Sequence, residues 1–192
     1  MTPAIRRLIV LVGIVMIASA GSVRAQTGWL PEEFTAIGTN LNADHRSSID
    51  IRITRWATAR DEDALSRALV ADGPEALLDA VRVAPPAGSI QSAGSRPWTL
   101  RFAWQQRTAD GGRRILILTD RPIGGWEILL GSPSLNYPFS VIELWLDPAG
   151  DGEGMLSVAT QISIDPEDGL VNVEGYDAQP VRLTHVKTTR PT

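Results

Sequence analysis

The chain has 192 residues, no cysteine, 21% charged residues and a formal net charge of −4. The lack of cysteine removes disulfide staples, thiolate metal sites and cysteine nucleophiles. The acidic balance argues against a nucleic-acid partner, because phosphate binding needs a basic surface.

The first residues read as a secretory signal peptide. Arg6 and Arg7 precede an uncharged apolar run from Leu8 to Ala20, and Val23 and Ala25 supply small side chains for a cleavage site after Ala25. The run is shorter than the roughly 20 residues a membrane-spanning helix needs, so cleavage is expected in preference to a retained anchor. No later stretch is long and apolar enough to span, so no stable membrane span is expected after cleavage. The expected organisation is a signal peptide over 1–25 and one exported domain over 26–192, periplasmic or extracellular. Loss of Arg6, Arg7 and Arg24 from the 18 basic residues leaves 15 against 22 acids, a net charge of −7. That charge favours solubility.

After a short polar lead, Glu33 to Asn40 reads as a strand. Ile49-Asp50-Ile51-Arg52-Ile53-Thr54 alternates apolar and polar with period two, as a half-buried strand does. The two predict a first hairpin. The pattern then turns helical. Asp61-Glu62-Asp63 places acids at a helix start, and Ala64, Leu65, Ala68 and Leu69 follow at helical spacing. Asp72-Gly73-Pro74-Glu75 reads as a second start, with Asp72 as cap and Pro74 in the first turn. Leu77, Leu78 and Val81 form its apolar stripe, and Ala84-Pro85-Pro86 ends it. A helical pair is therefore expected after the first hairpin.

Strands return beyond it. Ser89-Ile90-Gln91 is a short one. In Trp98 to Trp104, alternation puts Leu100, Phe102 and Trp104 on one face. Asp110-Gly111-Gly112 predicts a hairpin turn, since these residues tolerate positive φ. Ile115-Leu116-Ile117-Leu118 is apolar on both faces and reads as a central, doubly covered strand. Val141 to Leu146 is a strand, and Leu156, Val158, Ile162 and Ile164 share one face of a long one. Asp165-Pro166-Glu167-Asp168-Gly169 is a tight turn, and Leu170 to Glu174 and Pro180 to Val186 are the last strands. Turn signals every 8–15 residues indicate an antiparallel meander. The expected fold is α+β: a mainly antiparallel sheet of about eight strands, curled or barrel-like, with the helical pair packed at one face or end.

No catalytic motif is legible. Of the two histidines, His45 sits in a polar turn and His185 shares parity with Val181 and Leu183, which predicts an inward position near the chain end. There is no Gly-x-Ser-x-Gly and no His-x-x-x-His pair for zinc. The acids Asp147, Asp151 and Glu153 lack calcium-loop spacing and read as hairpin chemistry. Glu127, Glu143, Asp147 and Glu174 are candidates for paired-carboxylate hydrolysis, but no spacing selects two of them.

The segment Thr119 to Glu127 is the most informative. It follows the strongest buried strand and places Asp120, Arg121, Trp126 and Glu127 on a glycine-containing loop. Loops at strand ends carry binding groups on a rigid scaffold, and Arg and Trp are enriched at binding hot spots. These four residues are the expected ligand contacts. The competing structural expectation is that Asp120 and Arg121 pair locally while Trp126 plugs the sheet end. Six tryptophans are many for this length, and Trp56 and Trp145 fall opposite the better apolar face of their strands.

Asp120-Arg121-Pro122-Ile123 with Trp126-Glu127, Tyr137-Pro138-Phe139, Glu143-Leu144-x-Leu146-Asp147 with Gly152-Glu153-Gly154, Gln179-Pro180-Val181-Arg182-Leu183 and the helical Gly73-Pro74-Glu75-Ala76-Leu77-Leu78 together resemble a family of uncharacterised exported bacterial proteins of about this size. The resemblance implies export and one intact domain. It carries over no activity and no catalytic residue.

The sequence thus leads to a non-enzymatic exported domain that binds a small or extended ligand, or a cell-envelope protein, with no cofactor and no metal. The alternatives are a carboxylate-based hydrolase with an extracellular substrate and a structural or assembly module.

Overall fold

The computed structural model describes residues 30–40, 45–121, 139–164, 171–175 and 180–189. The expected signal peptide lies outside them, as do Trp126 and Glu127. The elements in chain order are β1 (Glu32–Asn40), β2 (His45–Ile53), α1 (Ala59–Val83), β3 (Gly88–Ser92), β4 (Trp98–Leu100), β5 (Phe102–Arg107), β6 (Arg113–Thr119), β7 (Phe139–Leu146), β8 (Asp151–Ile164), β9 (Val171–Gly175) and β10 (Val181–Thr189).

The period-two segments pair as neighbours in one antiparallel sheet. Its hydrogen-bonded path runs β4-β3-β2-β1-β10-β8-β7-β6-β5, and β9 pairs with β8 off the path. The two ends of the path, β4 and β5, are separated in the chain by Arg101 alone. Ala87 N–H donates to the Leu100 carbonyl at 2.8 Å, and Arg101 N–H donates to the Leu118 carbonyl at 3.0 Å. The chain therefore leaves β3 and joins β6 within one residue, which rolls the sheet into a nearly closed barrel. The path holds nine strands where about eight were expected, because Trp98 to Trp104, read as one strand, is divided at Arg101.

That division also shifts side-chain parity. Leu100 lies in the interior cluster with Ala103, Ile115 and Ile117, whereas Phe102 packs in a second cluster with Trp104 against it. The single face expected for Leu100, Phe102 and Trp104 does not form. A second irregularity acts on β10. Its register against β8 shifts between Leu183 and Val186, and His185 takes φ 53°. The extra residue of a bulge moves the inward position from odd to even numbers. Val186 is buried and His185 is exposed, contrary to the inward position expected for it.

Apolar side chains, mostly branched, pack into the barrel interior. Phe34, Ile51, Ile53, Ile90, Leu100, Ile115, Ile117, Ile142, Leu144, Leu156 and Leu183 are fully buried, and burial of each contributes roughly 1.5–3 kcal/mol. At Gly38 even a methyl group would stand 3.0 Å from Ile49 Cγ1 and 3.3 Å from Val181 Cγ1. One rim is closed by polar contacts: Arg113 binds both carboxylate oxygens of Glu32, at 2.8 and 3.0 Å, and Gln105 Oε1 at 3.0 Å. Trp56 donates its indole N–H to the Leu30 carbonyl at 2.9 Å.

In place of the expected pair of helices there is one helical element, α1, with a single non-helical residue, Gly73 (φ 79°, ψ −165°), ahead of Pro74. Glycine permits that conformation. The helix starts with a capping box: Thr58 Oγ1 accepts from Asp61 N–H, and the Asp61 carboxylate accepts from Thr58 N–H at 2.8 Å. A straight helix of 25 residues would be about 37 Å long. Yet one guanidinium, that of Arg55, reaches Asp61 at 2.9 Å and the Pro85 carbonyl at 3.2 Å, so α1 is bent sharply and its two ends meet. Leu69, Leu77 and Val81 are its buried side chains, packed with Phe102, Leu118, Phe139, Val141 and Ile162 on the outside of the barrel.

Candidate functional site

Strand register lays out the outer face of β5 to β8 in three rows. The first, Phe102, Leu118, Val141 and Ser157, adjoins α1. The second is Trp104, Leu116, Glu143 and Met155, continued by Arg182 on β10. The third is Gln106, Arg114, Trp145 and Glu153. Leu144 and Leu146 are buried in the interior, so alternation along β7 turns Glu143 and Trp145 outward.

The second and third rows carry the chemistry. Arg114 and Glu143 form an ion pair at 2.7 Å, with the Glu143 side chain only 7% exposed. Glu153 and Arg182 pair at 2.9 Å in the open. Trp145 stands between the two pairs and is 36% exposed. From α1, Glu62 accepts a hydrogen bond from the Trp104 side chain. The Glu62 carboxyl lies above its ordinary range because burial raises it; the Trp104 bond opposes the shift, and Asp63 and Asp61 add to it. The arrangement sets an exposed indole between two ion pairs, one with its carboxylate nearly buried and one open to solvent.

Of the four residues expected to bind ligand, the structure brings Asp120 and Arg121 together. Asp120 is 8% exposed at its side chain, 3.5 Å from Arg101 and 3.4 Å from Arg121. The hydroxyls of Thr119 and Ser140 both donate to the Arg121 carbonyl. Arg101 also donates to the Ala84 carbonyl at 3.4 Å, so this corner ties the end of β6 to the end of α1. Asp120 faces protein, and Arg121 alone of the two presents its side chain to solvent. Trp126 and Glu127 lie outside the described residues.

The other candidates are dispersed. Asp147 Oδ1 accepts the amides of Ala149 at 2.8 Å and Asp151 at 3.0 Å, which is turn chemistry, and Gly150 completes the turn at φ 89°. Among the described residues no group of three or more acids or histidines is placed to hold a metal. Glu174 lies in β9 and His45 begins β2. Trp145 was legible only as lying opposite the better apolar face of its strand, and its bracketing by Arg114 and Glu153 depends on pairing between strands and has no local signal. Glu32 and Arg113 are likewise 81 positions apart, although Arg113 shares the parity of Ile115 and Ile117 and so announces a polar group on the inner face.

No protein-family model, no curated protein and no solved structure matches this chain.

Proposed function

We propose that the protein is an exported, non-enzymatic binding domain that holds an extended ligand or a cell-envelope partner on the outer face of β6 to β8. One observation carries this reading: Trp145 is exposed in a row between the Arg114–Glu143 and Glu153–Arg182 pairs, on the part of the face beyond the row packed under α1. Tryptophan and arginine are the side chains that dominate binding surfaces. The described inward side chains pack against one another as a single apolar cluster, which directs the reading to the outside. A carboxylate hydrolase needs two carboxyl groups facing one another across roughly 5–9 Å, whereas Glu143 faces a guanidinium. The segment Asp120 to Glu127, of which Arg121 is exposed among the described residues, is the second contact in this proposal.

The test is a photo-crosslinking amino acid at position 145, in the full chain expressed with its leader in a bacterial envelope, against the same group at Asp50, which is exposed on β2. A discrete adduct from position 145 and none from position 50 is the expected outcome. Equal labelling at both sites, or no adduct at 145, refutes the assignment.

A further inference from the structure

We infer that the row Arg114–Trp145–Glu153 is a platform for a neutral saccharide, with one pyranose ring stacked on the Trp145 indole. The inference rests on the outer-face reading above and names its ligand class. Three features carry it.

The first is the aromatic surface. Of the large apolar side chains exposed among the described residues, Trp145 is the one aromatic. Its chain neighbours Leu144 and Leu146 are anchored in the interior, so the backbone beneath the indole is fixed. An indole face carries negative charge density and attracts polarised C–H groups, such as those on one face of a pyranose.

The second is spacing. Arg114 and Glu153 are the cross-strand neighbours of Trp145 on its two sides. Adjacent strands lie about 4.8 Å apart, so the two flanking backbones are about 9.6 Å apart. That span suits one sugar ring with its hydroxyls, lying across β7 and reaching both flanks.

The third is charge. Each flank is a neutral pair, Arg114 with Glu143 at 2.7 Å and Glu153 with Arg182 at 2.9 Å. A guanidinium only donates and a carboxylate only accepts, while a hydroxyl does both. A vicinal diol can therefore meet donor and acceptor at once at the open Glu153–Arg182 pair, and a donor at the partly exposed Arg114, whose partner Glu143 is nearly buried. A polyanion would meet the open Glu153 carboxylate, and a polycation the Arg114 and Arg182 guanidinium groups. A protein partner favours an interface core depleted of charge, and here the tryptophan is bracketed by four charged residues.

The experiment uses the mature protein with cellohexaose, chitohexaose and maltohexaose as neutral probes and hexagalacturonate as the charged one, followed by calorimetry and tryptophan emission. At least one neutral hexaose is expected to bind, with hexagalacturonate at least tenfold weaker. Trp145→Ala is expected to weaken binding by about tenfold or more, on the scale of a lost aromatic stack. Trp145→Phe, which keeps a smaller ring, should fall between them, and Asp50→Ala should change nothing. Unfolding midpoints of each variant separate loss of binding from loss of fold. Failure of all neutral hexaoses, or binding that survives in folded Trp145→Ala, overturns the inference. If saccharides fail while the crosslinker at 145 captures an envelope protein, the saccharide assignment falls and the outer-face reading stands. If both fail, both fall.

Discussion

Replacing Arg114 by methionine keeps most of the side chain's length and removes its charge. The Glu143 carboxylate, 7% exposed and paired at 2.7 Å, is then left nearly buried without its cation. Breaking a buried pair from one side costs about 3–5 kcal/mol. Because a quarter of the Arg114 side chain reaches water, the low end applies, about 3 kcal/mol. With an m-value near 2 kcal/mol/M in urea, the midpoint should drop by about 1.5 M. The double variant Arg114→Met/Glu143→Leu removes both charges and should recover to within about 1 kcal/mol of the parent, since well-packed apolar replacements of ion pairs are often neutral. Urea denaturation of the four proteins closes the cycle. A double variant as unstable as the sum of the single losses would refute the reasoning, because it would mean that Arg114 and Glu143 act independently and that Glu143 is buried for some other purpose.

Three further outcomes follow from the same geometry. Asp61 titrates below its ordinary 3.8: burial opposes this shift, and hydrogen bonds from Thr58 and Arg55 outweigh burial; its contribution is therefore present above pH 3.8 and lost as pH falls through the lower folded value, so acid should speed hydrogen exchange in α1 before it does so in the barrel strands. Glu62 has the opposite sign: burial holds it above its ordinary 4.5, so its charged form disfavours the fold, and Glu62→Gln should raise the melting temperature at pH 7 with the advantage gone below about pH 4. Gly154→Ala should destabilise the barrel by about 1–3 kcal/mol in urea, since the added Cβ would overlap the Glu143 carbonyl oxygen and crowd Leu144 Cδ2 at 2.7 Å; an unchanged midpoint would show that β7 and β8 yield without cost.

Local periodicity made much of this fold legible. The alternation Ile49-Asp50-Ile51-Arg52-Ile53 marks β2 because one face is interior and the other wet. Ile115 to Leu118 is apolar throughout because Ile115 and Ile117 point into the barrel while Leu118 packs with the side chains of α1. Asp110-Gly111-Gly112 marks the β5–β6 hairpin because the turn needs Gly111 at φ 86°. What failed to show were single-residue interruptions. The break at Arg101 and the bulge at His185 each invert the parity of everything beyond them, and neither residue announces it. Long-range pairing was equally silent. Glu153 and Arg114 flank Trp145 only after two hairpins are in register. Nothing near Asp120 in the chain reveals that Arg101, between β4 and β5, comes to lie 3.5 Å from it.

The meeting of the two ends of α1 at Arg55 has an architectural consequence. The flanking chain is already joined, Thr54 N–H donating to the Ala87 carbonyl at 2.8 Å, and β2 and β3 remain paired from Ile53 and Gly88 onward. The whole excursion between them therefore leaves the sheet and re-enters it at one point, like an appendix on a nearly closed ring. Such a module can lengthen, shorten or be exchanged without altering the strand order. What constrains it is the greasy footprint it shelters, Phe102, Leu118 and Val141, which any replacement must also cover.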